Sequence, residues 1–207
     1  MASRDPNFIR PVKITDARKG GSYHGKSLDK ISTAGSYTEY HTHGLPDSFA
    51  VGSLARRFGI PENQSVPRYL LENLLHRRNP WDGANLPGLI NTANTVAFDA
   101  TATSRKTCSG VAIFDQRIPR IFKFTCKELI KKAEKKAKNR VRKGHRMLYK
   151  LGCKGKDLQH VEDSGNCVAI IITEYFSRSG DPALHCHIII PNITWVESEN
   201  EFRALYY

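Results

Sequence analysis

Two apolar, β-branched runs separated by a single turn constrain this chain more than anything else in it. Residues 167–174 read C-V-A-I-I-I-T-E, and residues 184–190 read L-H-C-H-I-I-I before Pro191. Runs of this length, rich in Ile and bounded by Ser-Gly-Asn and Ser-Gly-Asp-Pro, predict two buried strands joined by a turn. Side chains alternate across a strand, so His185 and His187 point to the same face. With the strands paired as neighbours, Glu174 at the end of the first joins them. Two imidazoles and one carboxylate facing one spot make a half-open site for a divalent cation. The competing reading is a pair of ordinary hydrogen-bonded core histidines. A polar triad ending two otherwise apolar strands weighs against it, because burying polar groups without partners is costly.

Composition bounds the rest. A chain of 207 residues suits one domain, or one domain with an appendage, and 40% hydrophobic content is enough for a core. A formal net charge of +12 favours a polyanionic partner or an anionic membrane surface. No apolar run approaches the roughly 20 residues of a membrane span, which predicts a soluble chain. The first residues, M-A-S-R-D-P, lack the apolar core of a secretory signal. Cys108, Cys126, Cys153, Cys167 and Cys186 are odd in number and not grouped as C-x-x-C. They read as reduced cytosolic thiols, not as a disulfide frame or a zinc cluster.

Residues 177–192, S-R-S-G-D-P-A-L-H-C-H-I-I-I-P-N, closely resemble the metal motif of conjugative relaxases of the MobF (TrwC-like) group, members of the HUH endonucleases. There an S-R-x-x-D-P-x-L-H-x-H segment leads into an apolar strand and an Asn. The resemblance covers roughly residues 28–207 and is strongest at 177–192. It implies an α+β fold: a central, mostly antiparallel sheet with flanking helices. Residues 1–27, rich in Arg, Lys, Gly and Pro, read by composition as a basic extension before it. The resemblance also implies an enzyme that cuts one DNA strand at a specific site with a tyrosine and one divalent metal. The family usually has a third histidine where this chain has Glu174; a carboxylate suits Mg²⁺ or Mn²⁺ better than an imidazole does.

The segment T-A-G-S-Y-T-E-Y is similar to the family's tyrosine element. Tyr37 falls where the leading nucleophile sits, and Tyr40 is the expected second nucleophile or orienter. The family often has two adjacent tyrosine pairs, whereas Thr38 and Glu39 separate two single ones here, so which tyrosine cuts first stays open. Asp99 falls on the family's acidic residue beside the active site, with the role of taking the tyrosine proton or orienting a metal ligand. A turn-starting Asp is the alternative. Lys106 matches a family lysine and, with Arg105, is a candidate phosphate contact. The implied partners are single-stranded DNA with an adjacent hairpin or duplex (an oriT-like site) and a helicase in cis or in trans. The implied setting is the cytoplasm of a bacterium carrying a mobile element. A rolling-circle replication initiator with the same chemistry, or a non-catalytic basic DNA-binding module, are the rival functions; Tyr206-Tyr207, after the histidines, suits the initiator order.

Elsewhere, residues 48–60 predict a short helix ended by Gly59 and Pro61. Residues 65–76 predict another, with Ser65 as its cap and Pro67 in its first turn. Residues 126–150 predict one long amphipathic helix with Ile130, Ala133, Ala137, Val141 and Leu148 as its apolar stripe. Lys135, Lys138 and Arg142 on its basic face, and Arg178 in the turn of the metal motif, are expected DNA contacts. Each phosphate neutralised would contribute about −0.7 to the log–log salt slope on a single strand. His41-Thr-His43 is a rival metal pair, but a loop is a poorer ligand platform than a central strand. Arg77, Arg78 and Trp81 lie in a loop that either holds DNA or packs its Trp against the surface.

Overall fold

The computed structural model describes residues 12–15, 48–62, 64–89, 95–142, 159–177 and 179–206. Tyr37, Tyr40, His41, His43, Arg178 and Tyr207 lie outside them, as does the Arg142 side chain. The two apolar runs form β6 (Ala169–Phe176) and β7 (Pro182–Pro191), antiparallel neighbours. They are the inner strands of a five-stranded sheet that also holds β1 (Val12–Ile14), β2 (Ser48–Val51) and β3 (Ala97–Thr103). Its order is β1-β3-β7-β6-β2, antiparallel throughout. The α+β expectation therefore holds, with β7 at the centre.

Burial explains the composition of these strands. On one face, Ile170, Ile172, Ile189 and Ala97 pack with Leu54 and Ala55 of α1 (Ser53–Arg57) and with Leu70, Leu71, Leu74 and Leu75 of α2 (Arg68–Leu75). On the other, Ile171, Ile188 and Ile190 pack with Cys126 and Ile130 of α4 (Arg117–Glu134). α3 (Lys106–Ala112) covers this second face nearer the β6–β7 turn, where Ala112 meets Tyr175 and Leu184. A sheet covered on both faces requires apolar side chains at successive positions, which is why I-I-I occurs in both central strands.

Three expected helices are corrected. Residues 48–60 are not one helix: Ser48–Val51 is the edge strand β2, pairing with residues 169–172, and only Ser53–Arg57 is helical. Gly52 separates the two at φ 112, a conformation open to glycine and closed to a helix. In α2, Pro67 occupies the N-cap and no side chain caps the helix; Ser65 instead bonds Ser48 Oγ at 3.2 Å. The long helix over 126–150 is two elements. α4 begins at Arg117 and ends at Glu134, and Lys138–Arg142 is β4, paired with β5 (Gln159–Asp163) and β10 (Leu205–Tyr206). Ala137 and Asn139 are buried while Lys138 between them is exposed, so the pattern there has period two and strand pairing overrides helix propensity. Tyr206, in β10, is held opposite Lys138.

Glu134 closes the fold at the far end of the sheet. Its Oε1 accepts from Ser53 N at 2.6 Å, Ser53 Oγ at 2.5 Å and Cys167 N at 3.2 Å, joining α4 to the starts of α1 and β6. The hairpin of β8 (Thr194–Val196) and β9 (Glu201–Arg203) packs Trp195 and Phe202 onto the α1–α2 side, with Arg57 3.9 Å above the Trp195 ring.

Candidate metal centre

Register places the triad before any side-chain detail is considered. In the β6–β7 ladder Glu174 lies opposite His185, and Ile172 opposite His187. Alternation then puts Glu174, His185 and His187 on the same face as Ile170, Ile172 and Ile189, where that apolar face runs out toward the turn. Ligating atoms of the three residues all lie within 4.8 Å of one another, and His185 Nε2 is 3.4 Å from Glu174 Oε2. The two rings are edge-on, with centroids 5.4 Å apart.

Each imidazole is oriented from behind. His185 Nδ1 is 2.7 Å from the Ala183 carbonyl; a carbonyl only accepts, so Nδ1 carries the proton and Nε2 the lone pair. His187 Nδ1 donates to Asp99 Oδ1 in a long bond of 3.4 Å, which selects the same tautomer. Metal-ligating histidines are held by this kind of outer partner. Two Nε2 lone pairs and a carboxylate, half-buried and converging, fit one divalent cation with open coordination positions. The Glu174 carboxylate, and after it the Ala183 carbonyl, raise the His185 imidazole above its ordinary range against the opposing effect of burial.

Asp99 is in mid-strand, not at a turn: it lies in β3, opposite Ile189, which puts it on the triad's face. Thr101 opposes His187 and Thr103 opposes His185. These two threonines were not singled out from sequence, yet the alternation of Asp99, Thr101 and Thr103 with Ala100 and Ala102 marks a polar edge on an apolar strand. Arg105 and Lys106 follow β3 directly at the start of α3, exposed and at the triad's end of the sheet. Lys135 and Lys138 are exposed at the other end, just past Glu134 and its bond to Cys167. Glu174 lies seven residues along from Cys167, about 23 Å at strand rise. Lys138 also lies 3.6 Å from Asp163. Arg77 is not a surface contact: it is buried at φ 58 and donates Nη2 to the Thr95 carbonyl at 2.6 Å. Trp81 keeps a half-exposed ring while its Nε1 donates to the Phe58 carbonyl at 2.6 Å.

The family model described as TrwC relaxase matches residues 17–207. The chain belongs to the TrwC relaxase family. Solved structures of the conjugative relaxase TrwC share its fold. A metal-free complex with oriT DNA is 21% identical with a TM-score of 0.69, and the match covers 96% of this chain and 60% of that one. A copper-bound complex with oriT DNA is 22% identical with a TM-score of 0.71, covering 96% and 61%. A TrwC complex with a 27-mer DNA comprising the recognition hairpin and the cleavage site is 20% identical with a TM-score of 0.68, covering 96% and 60%. This TrwC-family chain thus spans about three-fifths of the length of those structures. No curated protein matches it in a sequence search. Among the described residues, no helix is long and apolar enough to cross a membrane.

Proposed function

We propose that this chain nicks and rejoins one strand of DNA at a specific site by transesterification onto a tyrosine. The observation that carries the reading is the Glu174–His185–His187 cluster, with both imidazoles oriented from behind, on a TrwC-family fold. Tyr37 is assigned as nucleophile and Tyr40 as the second tyrosine. The Tyr37 oxygen attacks phosphorus and loses its proton; the bond from phosphorus to the 3′-oxygen breaks, and that oxygen takes up a proton. The products are a 5′-phosphotyrosyl adduct and a free 3′-hydroxyl. The ester is exchanged, not hydrolysed, so attack by a 3′-hydroxyl reseals the strand.

A free phenol titrates near 10, so the tyrosine needs a positive field or a base at neutral pH. A divalent cation, Mg²⁺ or Mn²⁺ for this donor set, supplies charge neutralisation at a non-bridging phosphate oxygen when bound. Arg105 and Lys106 add positive charge at the same end of the sheet. Asp99 is assigned to holding the His187 ring, because its carboxylate already accepts a hydrogen bond from Nδ1–H. The substrate class is a single strand with an adjacent hairpin, a reading supported by the TrwC complex, whose 27-mer DNA comprises the recognition hairpin and the cleavage site. Lys135, Lys138 and Arg142 would then grip the hairpin's phosphates away from the metal, and Arg178 those near it.

The test is a labelled hairpin oligonucleotide carrying the cognate site, incubated with Mn²⁺ and resolved in denaturant. A covalent adduct is expected with the native chain and none with Tyr37→Phe, whose DNA affinity should stay within about twofold. Full cutting by that variant would move the role to Tyr40. Salt-sensitive retention with no adduct at all would leave only a DNA-binding module. Asp99→Asn should weaken Mn²⁺ binding about 10- to 100-fold in calorimetry, the usual effect of losing a ligand's outer partner. Unchanged affinity would detach Asp99 from the metal centre.

A further inference from the structure

The helix that covers the sheet's second face leaves a strongly apolar surface exposed. α4 turns Cys126 and Ile130 inward. At 100° per residue its outward pole carries Ile121 and Phe124, one turn apart, which are 63% and 62% exposed. Phe114, in the turn leading into the helix, is 89% exposed, and Val111 at the end of α3 is 51% exposed. Large apolar side chains this exposed and this close in sequence mark an interaction surface. Ile121 and Phe124 form an i, i+3 ridge of the kind a second helix packs against.

Charge selects among occupants. Arg120, next to Ile121, is exposed, and so is Lys132 two turns beyond Phe124, whereas Lys127 lies with its Nζ 4.8 Å from the Phe49 ring. The acids beside it are already paired, Asp115 with Arg117 at 2.7 Å and Glu128 with Lys131 at 2.7 Å. A second copy packing helix to helix would set these cations against themselves. A DNA strand bound at the triad lies on the opposite face of the sheet from α4. An anionic membrane needs a broad apolar helix face, whereas that face of α4 is turned into the core.

We propose that the outward face of α4 docks an acidic amphipathic helix from a separate protein: apolar residues against Ile121, Phe124 and Phe114, carboxylates against Arg120 and Lys132. The surface stands on its own exposure and charge, whatever the chemistry at the triad.

The probe is a fluorescein-labelled, helix-forming 21-residue peptide with Leu at heptad positions a and d and Glu at e and g, titrated with the whole chain in an anisotropy assay. A control peptide carries Lys at e and g. Micromolar binding of the acidic peptide is expected, at least tenfold tighter than the control. The I121S/F124S variant should lose at least tenfold while keeping its melting temperature and its nicking. The R120E/K132E variant should reverse the preference toward the Lys peptide. Equal binding of both peptides, no binding, or no effect of I121S/F124S would overturn the proposal. So would a monomer–dimer equilibrium in sedimentation, cosedimentation with phosphatidylglycerol vesicles, or displacement of the peptide by an oligonucleotide, wherever the same variant abolishes it; each would assign the surface to that occupant.

Discussion

The His185→Ala/His187→Ala double variant is expected to lose adduct formation by on the order of a thousandfold, the scale seen when positioned charge stabilisation is removed from a phosphoryl or acyl transfer site. Both nitrogen donors of the cluster disappear, and Glu174 is left as a single carboxylate, 34% exposed. One carboxylate without the two imidazoles holds Mg²⁺ or Mn²⁺ too weakly for millimolar metal to saturate. Calorimetry should show no Mn²⁺ binding, and filter retention of the oligonucleotide should change by no more than a few-fold. The metal-free melting temperature should barely move, because both imidazoles lie where the apolar core ends. Undiminished adduct yield would place the metal elsewhere, with His41 and His43 the next candidates.

Gly52→Ala should destabilise the fold by about 3 kcal/mol or more, among the largest effects a single substitution has. Two costs add. At φ 112 the residue has a backbone conformation that an L side chain rarely adopts, and an added Cβ would stand 2.2 Å from the Cys167 carbonyl oxygen. That carbonyl accepts from Leu54 N at 3.1 Å, and Glu134 binds the neighbouring Ser53 and Cys167 amides. The clash therefore cannot be relieved without separating β2, α1, α4 and β6 at their junction. For a chain of this length the melting temperature should fall by on the order of 10 °C. Gly59→Ala provides the control: its φ is 67 but nothing lies within 4 Å of the added Cβ, so it should cost roughly 1 kcal/mol. Equal losses in the two variants would mean that backbone strain, not the Cys167 contact, makes Gly52 necessary.

The convergence of Glu174, His185 and His187 was readable from sequence because three conditions coincided. Both strands are pure enough for the period-two rule to assign faces, the turn between them is short, and Glu174 ends its run where His185 begins the next. Asp99 was singled out through resemblance alone, although the D-A-T-A-T alternation already favours a strand over a turn. Its partner across the sheet became visible only through the β3–β7 register. The failures have a common origin in local reading. Residues 138–142 are lysine- and arginine-rich and suit a helix locally; they become strand because β5 and β10 supply partners from distant sequence. Ser48–Val51 is likewise drawn into the sheet by β6, which lies more than a hundred residues away. The apolar ridge of α4 escaped notice because the helix was placed too late to include Ile121 and Phe124.

β7 is flanked by β3 and β6, which lie between it and the edge strands β1 and β2. The cluster's two imidazoles are therefore anchored to backbone amides whose exposure to solvent requires cooperative opening of the whole sheet, not fraying of one edge. Deuterium uptake at Cys186 and His187 should then be among the slowest in the molecule and should track global denaturation. An architecture of that kind keeps the spacing of the two imidazoles constant, so any discrimination between cations would rest on a frame that only global unfolding deforms.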